Sequence, residues 1–103
     1  MKKIQEKIKK FCEENNLKSS PESRILDTMS ELGEVAKEIL KINDYGKKPI
    51  KSNLELKKEL GDLLYSLITL ANSLDIDLDE ALEIVMKKYK NRLKNGSIGS
   101  EIN

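Results

Sequence analysis

Ser20-Pro21-Glu22-Ser23-Arg24-Ile25-Leu26-Asp27-Thr28-Met29-Ser30-Glu31-Leu32-Gly33-Glu34-Val35-Ala36-Lys37-Glu38-Ile39 reads as one amphipathic helix with a marked beginning. Ser20 offers a side-chain acceptor at the N-cap. Pro21 suits a first helical position whose amide has no partner in any case, and Glu22 faces the positive end of the helix dipole. Ile25, Met29, Leu32, Ala36 and Ile39 recur at helical spacing, which predicts a helix over about residues 21–42 with one apolar stripe. Asp27, Glu31, Glu34 and Glu38, spaced 4, 3 and 4, form a second stripe roughly opposite. Asn43-Asp44-Tyr45-Gly46 ends the helix, and Lys47-Lys48-Pro49-Ile50-Lys51 is a short basic loop.

The same pattern continues on both sides. Ser52-x-x-Glu55 has the form of a capping box and predicts a third helix over about 53–74, with Leu56, Leu60, Leu63, Leu64, Leu67, Leu70 and Ala71 as its stripe. Asp77-x-x-Glu80 is a second box, opening a helix at about 78–93. Upstream, Ile4, Ile8, Phe11 and Cys12 share one face of a helix over about 2–16. The expected fold is therefore all-α and four-helix-bundle-like, a single domain over 1–95. Asn95-Gly96-Ser97-Ile98-Gly99-Ser100 opens a tail, 96–103, that reads as flexible.

Composition narrows the chemistry. The 103 residues suit one domain, which gains stability by oligomerising. Four aromatics and no tryptophan fit helices better than sheets. There is no histidine, which removes serine–histidine hydrolysis, histidine-ligated zinc and Glu-x-x-His di-iron sites. Cys12 is the single cysteine, so no internal disulfide forms; it is read as a small hydrophobe in a reduced compartment. The start, Met1-Lys2-Lys3-Ile4-Gln5, is no signal peptide, and no apolar stretch reaches membrane-spanning length, so a soluble cytoplasmic protein is expected. A net charge of +1 argues against a nucleic-acid binder.

Charge is nonetheless segregated. Residues 22–80 hold 13 acids and 8 bases, a local net of −5, whereas five lysines fall within the first ten residues. Glu55, Glu59 and Asp62 form a stripe on the third helix like that on the second. A solvated face is the ordinary meaning of such runs, but solvated faces mix signs. Like charges at i, i+4 cost about a few tenths of a kcal/mol per pair. Two acidic stripes on successive antiparallel helices would face each other, and converging carboxylates call for a cation. All-oxygen ligands select a hard ion such as Mg²⁺ or Mn²⁺. Lys88 and Arg92, i and i+4 on the last helix, fit either a solvated helix C-terminus or a phosphate contact.

Ser30-Glu31-Leu32-Gly33-Glu34-Val35-Ala36-Lys37-Glu38, followed by Lys58-Glu59-Leu60-Gly61-Asp62-Leu63-Leu64-Tyr65, resembles the E-E-x-x-E … E-x-x-D signature of MazG-type all-α nucleotide pyrophosphohydrolases. Leu74 to Leu82 is similar to the family's turn into its last helix, and Lys88-Tyr89-Lys90-Asn91-Arg92 to its closing basic segment. The likeness spans about residues 20–93. It implies hydrolysis of nucleoside triphosphates between the α and β phosphates with Mg²⁺, Mn²⁺ being the substitute, as in the clearing of nucleotide pools. By position it implies Glu31, Glu34, Glu59 and Asp62 as metal ligands and Lys88 and Arg92 as phosphate contacts. Glu34 or Glu38 would take the proton of the attacking water. Ser30 departs from the pattern, standing at its first glutamate.

Tyr65, Asn72 and the helix-one face are candidates for a base pocket, with boundary packing the plainer role for Tyr65. The resemblance further implies a homodimer or homotetramer and a nucleotide substrate, with neither nucleic acid nor membrane as partner. The competing readings are a non-catalytic helical binding module and a sibling pyrophosphohydrolase acting on phosphoribosyl-ATP or dUTP.

Overall fold

In the computed structural model, which describes residues 1–96, the chain forms α1 (Lys2–Glu14), α2 (Pro21–Ile42), α3 (Leu54–Ser73) and α4 (Leu78–Lys94), with no strand among the described residues. The fold is all-α, as the apolar stripes predict. The tail expected at 96–103 lies outside the described residues apart from Gly96.

Three of the helix starts follow from single side chains. The Ser20 hydroxyl accepts the Ser23 amide, with Pro21 behind it. At α3 the cap is Asn53 rather than Ser52: its Oδ1 accepts the Leu56 amide at 2.8 Å, so the helix begins one residue later than the capping-box pattern implies. Asparagine caps as well as serine, and the nearer residue to the first helical turn wins. At α4, Asp77 Oδ1 accepts the amides of Asp79 and Glu80. That satisfies two of the amides that a helix start leaves without partners.

α2 and α3 are antiparallel. Glu31 lies beside Glu59 and Asp62, while Arg24, nearer the start of α2, shares a cavity with Thr69 and Ser73, nearer the end of α3. The core sits mainly on α3, where Leu56, Ile68 and Ala71 are buried, with Val35 from α2 and Cys12 from α1. Among the described residues, Ile68 is the large side chain with no exposed surface.

A polar node fixes α1 to the far end of α3. Gln5 Nε2 donates to Asn72 Oδ1 at 3.1 Å and to the Ile76 carbonyl at 2.9 Å. Gln5 Oε1 accepts the Leu78 amide at 2.9 Å, and Asn72 Nδ2 donates to the Gln5 carbonyl at 3.0 Å. Gln5 is thereby buried and fully used, as a buried amide must be. Alongside it, Asp79 receives the Lys2 amide and lies 3.4 Å from the N-terminal ammonium.

α4 is the most loosely attached of the four helices. It has no buried residue and packs only slightly on the other helices. Leu82, Ile84, Met86 and Leu93 on α4 are exposed, as are Ile25, Leu26, Met29 and Leu32 on α2. The chain exposes 8165 Å², against roughly 5,900 Å² for a compact monomer of this mass. No helix among the described residues is long and apolar enough to cross a membrane.

Candidate metal centre

The acid stripes of α2 and α3 meet where their spacing places them. One carboxylate oxygen each from Glu31, Glu59 and Asp62 lies within 4.8 Å of the others, with Glu31 and Glu59 half-buried and Asp62 exposed. Glu31 comes from the middle of α2, Glu59 and Asp62 from successive turns of α3. Three oxygen donors at this separation suit a hard divalent cation better than a soft one.

The electrostatics point the same way. Desolvation holds the Glu59 carboxyl above its ordinary value, and the negative charges of Asp62, Glu34, Glu31 and Glu55 add to the effect. Among the described residues, none of Glu31, Glu34, Glu59 and Asp62 forms an ion pair. The nearest pairing on the stripe is Lys58 with Glu55 at 3.6 Å, both well exposed. A cation between these acids would relieve the repulsion that no lysine relieves.

The other expected site residues are placed differently. Glu34 is close enough to raise the Glu59 value, but it is not one of the three converging carboxylates. Glu38 lies one turn further along α2, half-buried. Lys88 and Arg92 flank the ring of Tyr89 on α4, at 5.0 and 5.9 Å from its centroid. Among the described residues, Lys88 forms no ion pair with the acids.

Tyr65 serves the boundary between α1 and α3. Its hydroxyl meets Cys12 Sγ at 3.5 Å. That hydrogen bond and partial burial push its value up, while the charge of Arg24 pulls the other way. Asn72 lines a cavity of about 690 Å³ between α1, the link to α2 and the end of α3, together with Lys9, Cys12, Lys18, Arg24 and Thr69. Arg24, Lys18 and Thr69 carry no motif, and only the packing of three segments brings them together.

The all-α chain thus brings three carboxylates of its two central helices together as a possible metal-binding cluster. The chain belongs to the MazG nucleotide pyrophosphohydrolase family, whose domain matches residues 19–97. It is 42% identical over 79 residues to protein YpjD of Bacillus subtilis strain 168, a match covering 74% of this chain and 69% of YpjD. The crystal structure of Bacillus subtilis YPJD superposes with a TM-score of 0.74 at 39% identity, covering 89% of this chain and 94% of that one. The Bacillus-conserved MazG protein, a nucleotide pyrophosphohydrolase, superposes at 0.71 with 32% identity, covering 85% and 86%.

Proposed function

We propose that the chain hydrolyses nucleoside triphosphates between the α and β phosphates, releasing a monophosphate and pyrophosphate, and so clears unwanted nucleotides from the cytoplasmic pool. The observation that carries this reading is the convergence of Glu31, Glu59 and Asp62 within 4.8 Å, unrelieved by any ion pair among the described residues. Those three carboxylates, with Glu34 joining them, would hold Mg²⁺, or Mn²⁺ in its place. The ion, when bound, neutralises phosphoryl oxygens and makes water a better nucleophile.

The chain's own groups supply the rest. Glu34 or Glu38, on the same stripe, accepts the proton of the attacking water, since no histidine is available. Lys88 and Arg92 hold the phosphates. Their helix packs only slightly on its own chain, so a neighbouring copy in a homodimer or homotetramer is the natural means of fixing them. The exposed apolar faces of α2 and α4 favour the same assembly. Neither nucleic acid nor membrane is a partner in this reading.

Pyrophosphate release should be measured with Mg²⁺ across a panel of standard and modified ribo- and deoxyribonucleoside triphosphates. The wild type is expected to act on some of them. Asp62→Asn and Glu34→Gln should lose about a hundredfold or more. Full activity in both variants would sink the carboxylate assignment. A chain that acts on no nucleotide, and whose melting temperature Mg²⁺ leaves unmoved, would be a helical binding module instead.

A further inference from the structure

Leu74 to Asp77 join α3 to α4, and most of that turn is already committed to one helix or the other. The amides of Leu74 and Ile76 bond back to the Ala71 carbonyl, at 3.1 and 2.9 Å, and the Asp75 amide to the Asn72 carbonyl at 3.2 Å. Asp77 belongs to α4 instead. Its side chain caps that helix, and its carbonyl accepts the Ala81 amide at 3.0 Å. Peptide groups are rigid planes, so the direction of α4 is left to the few soft angles around Ile76 and Asp77. Asp77 itself is extended, with φ −81° and ψ 113°.

The Gln5 side chain grips both peptide groups that flank Asp77. Its Nε2 donates to the Ile76 carbonyl and its Oε1 accepts the Leu78 amide, each at 2.9 Å. The second Nε2 hydrogen goes to Asn72 Oδ1, and Asn72 Nδ2 donates to the Gln5 carbonyl, which ties the clamp to α3. One planar amide thus holds the hinge from before and after. Glutamine meets that demand, whereas an ionised glutamate has no proton to give Ile76 or Asn72. The clamp comes from α1, which precedes the family domain at residues 19–97.

α4 depends on such a hold because it buries no residue and packs only slightly on the other helices. A further hydrogen bond at its start also reaches α1, from the Lys2 amide to Asp79 Oδ2 at 3.0 Å. Lys88 follows Leu78 by ten residues, about 15 Å along the helix. At that reach a swing of about 10° at the hinge displaces Lys88 by about 3 Å. Misplacing a substrate contact by about 1 Å costs on the order of a hundredfold in rate.

Resting on the pyrophosphohydrolase reading, we infer that Gln5 is a positioning residue: by clamping the peptides on both sides of Asp77 it sets the direction of α4, and with it where Lys88 and Arg92 meet the phosphates. Gln5→Glu keeps the size of the side chain and removes both donors; Gln5→Met keeps its length and removes every bond, and serves if the first variant fails to fold. With Mg²⁺ and the best nucleoside triphosphate, either should lower kcat/KM for pyrophosphate release by about tenfold or more. In a chain already carrying Lys88→Ala and Arg92→Ala, the same change should cost about twofold or less, since a residue that acts through those two has nothing left to position. An equal loss in both backgrounds, or no loss in either, overturns the inference.

A distance measurement reads the hinge without hydrolysis. Nitroxides attached through Lys57→Cys on α3 and Lys87→Cys on α4, both exposed positions, report the separation of the two helices by pulsed electron resonance. The labelled chain carries Cys12→Ser and is diluted with unlabelled copies, so that pairs within one chain dominate. A single narrow distribution is expected with Gln5, and a broadened or displaced one with Gln5→Glu or Gln5→Met. If no nucleotide is hydrolysed by the wild type, the pyrophosphohydrolase reading falls, and a broadened distribution still upholds the clamp. An unchanged distribution overturns it whatever the activity.

Discussion

Glu59 concentrates the physics of the site in one carboxyl: partly withdrawn from water and surrounded by Asp62, Glu34, Glu31 and Glu55, it holds its proton above the ordinary value. The native state therefore binds that proton more tightly than the unfolded chain does. Stability from this group is complete below the ordinary glutamate value of 4.5 and is lost as pH rises through the raised native value. Without metal, Glu59→Gln should match the wild type near about pH 4 and melt higher near about pH 7. It should also gain less from Mg²⁺. Melting curves at the two pH values, with and without the ion, check this; a gap that does not widen with pH would refute the repulsion. Glu31, Glu59 and Asp62 were legible in the sequence because like charges at i, i+3 and i, i+4 are a cost that chains avoid without reason. Arg24, Lys18 and Thr69 were not, because a cavity formed by three segments has no periodicity to read.

At the scale of the helix, the stripes predicted which segments are helical but not how each one is used. α3 does bury Leu56 and Ala71, yet Leu60, Leu64 and Leu67 of the same stripe keep more than two fifths of their surface exposed, at 49%, 43% and 41%. The start of α3 shows how local chemistry decides a boundary. Ser52 and Asn53 both suit an N-cap, and only the geometry selects Asn53. Asn53→Ala should cost about 1 kcal/mol, while Ser52→Ala should be close to neutral. Chemical denaturation of the two variants distinguishes them, and the reverse order would restore the capping-box assignment. In α1 the stripe misled in another way. Ile4 and Phe11 stay exposed while Gln5, seven residues before Cys12 and so on its face, is buried. A polar side chain inside an apolar stripe is invisible to hydropathy, but not to the backbone groups of Ile76 and Leu78 that it serves.

For the whole molecule, the surplus of exposed surface and the loose attachment of α4 are what the proposed assembly would cover. Sedimentation should find two or four copies, with Leu82→Glu on the exposed α4 face shifting the population toward smaller species and lowering the melting temperature by several degrees. A monodisperse single chain that melts independently of its concentration would contradict that assembly. The Gln5 node sets a further limit on how this molecule moves. The Leu78 amide opens α4, a position whose amide ordinarily lacks a helical partner and trades its proton quickly with water. Here its acceptor comes from a residue 73 positions away. Its deuterium uptake thus clocks the lifting of α1, so that one amide at the start of the last helix reports the opening of the first.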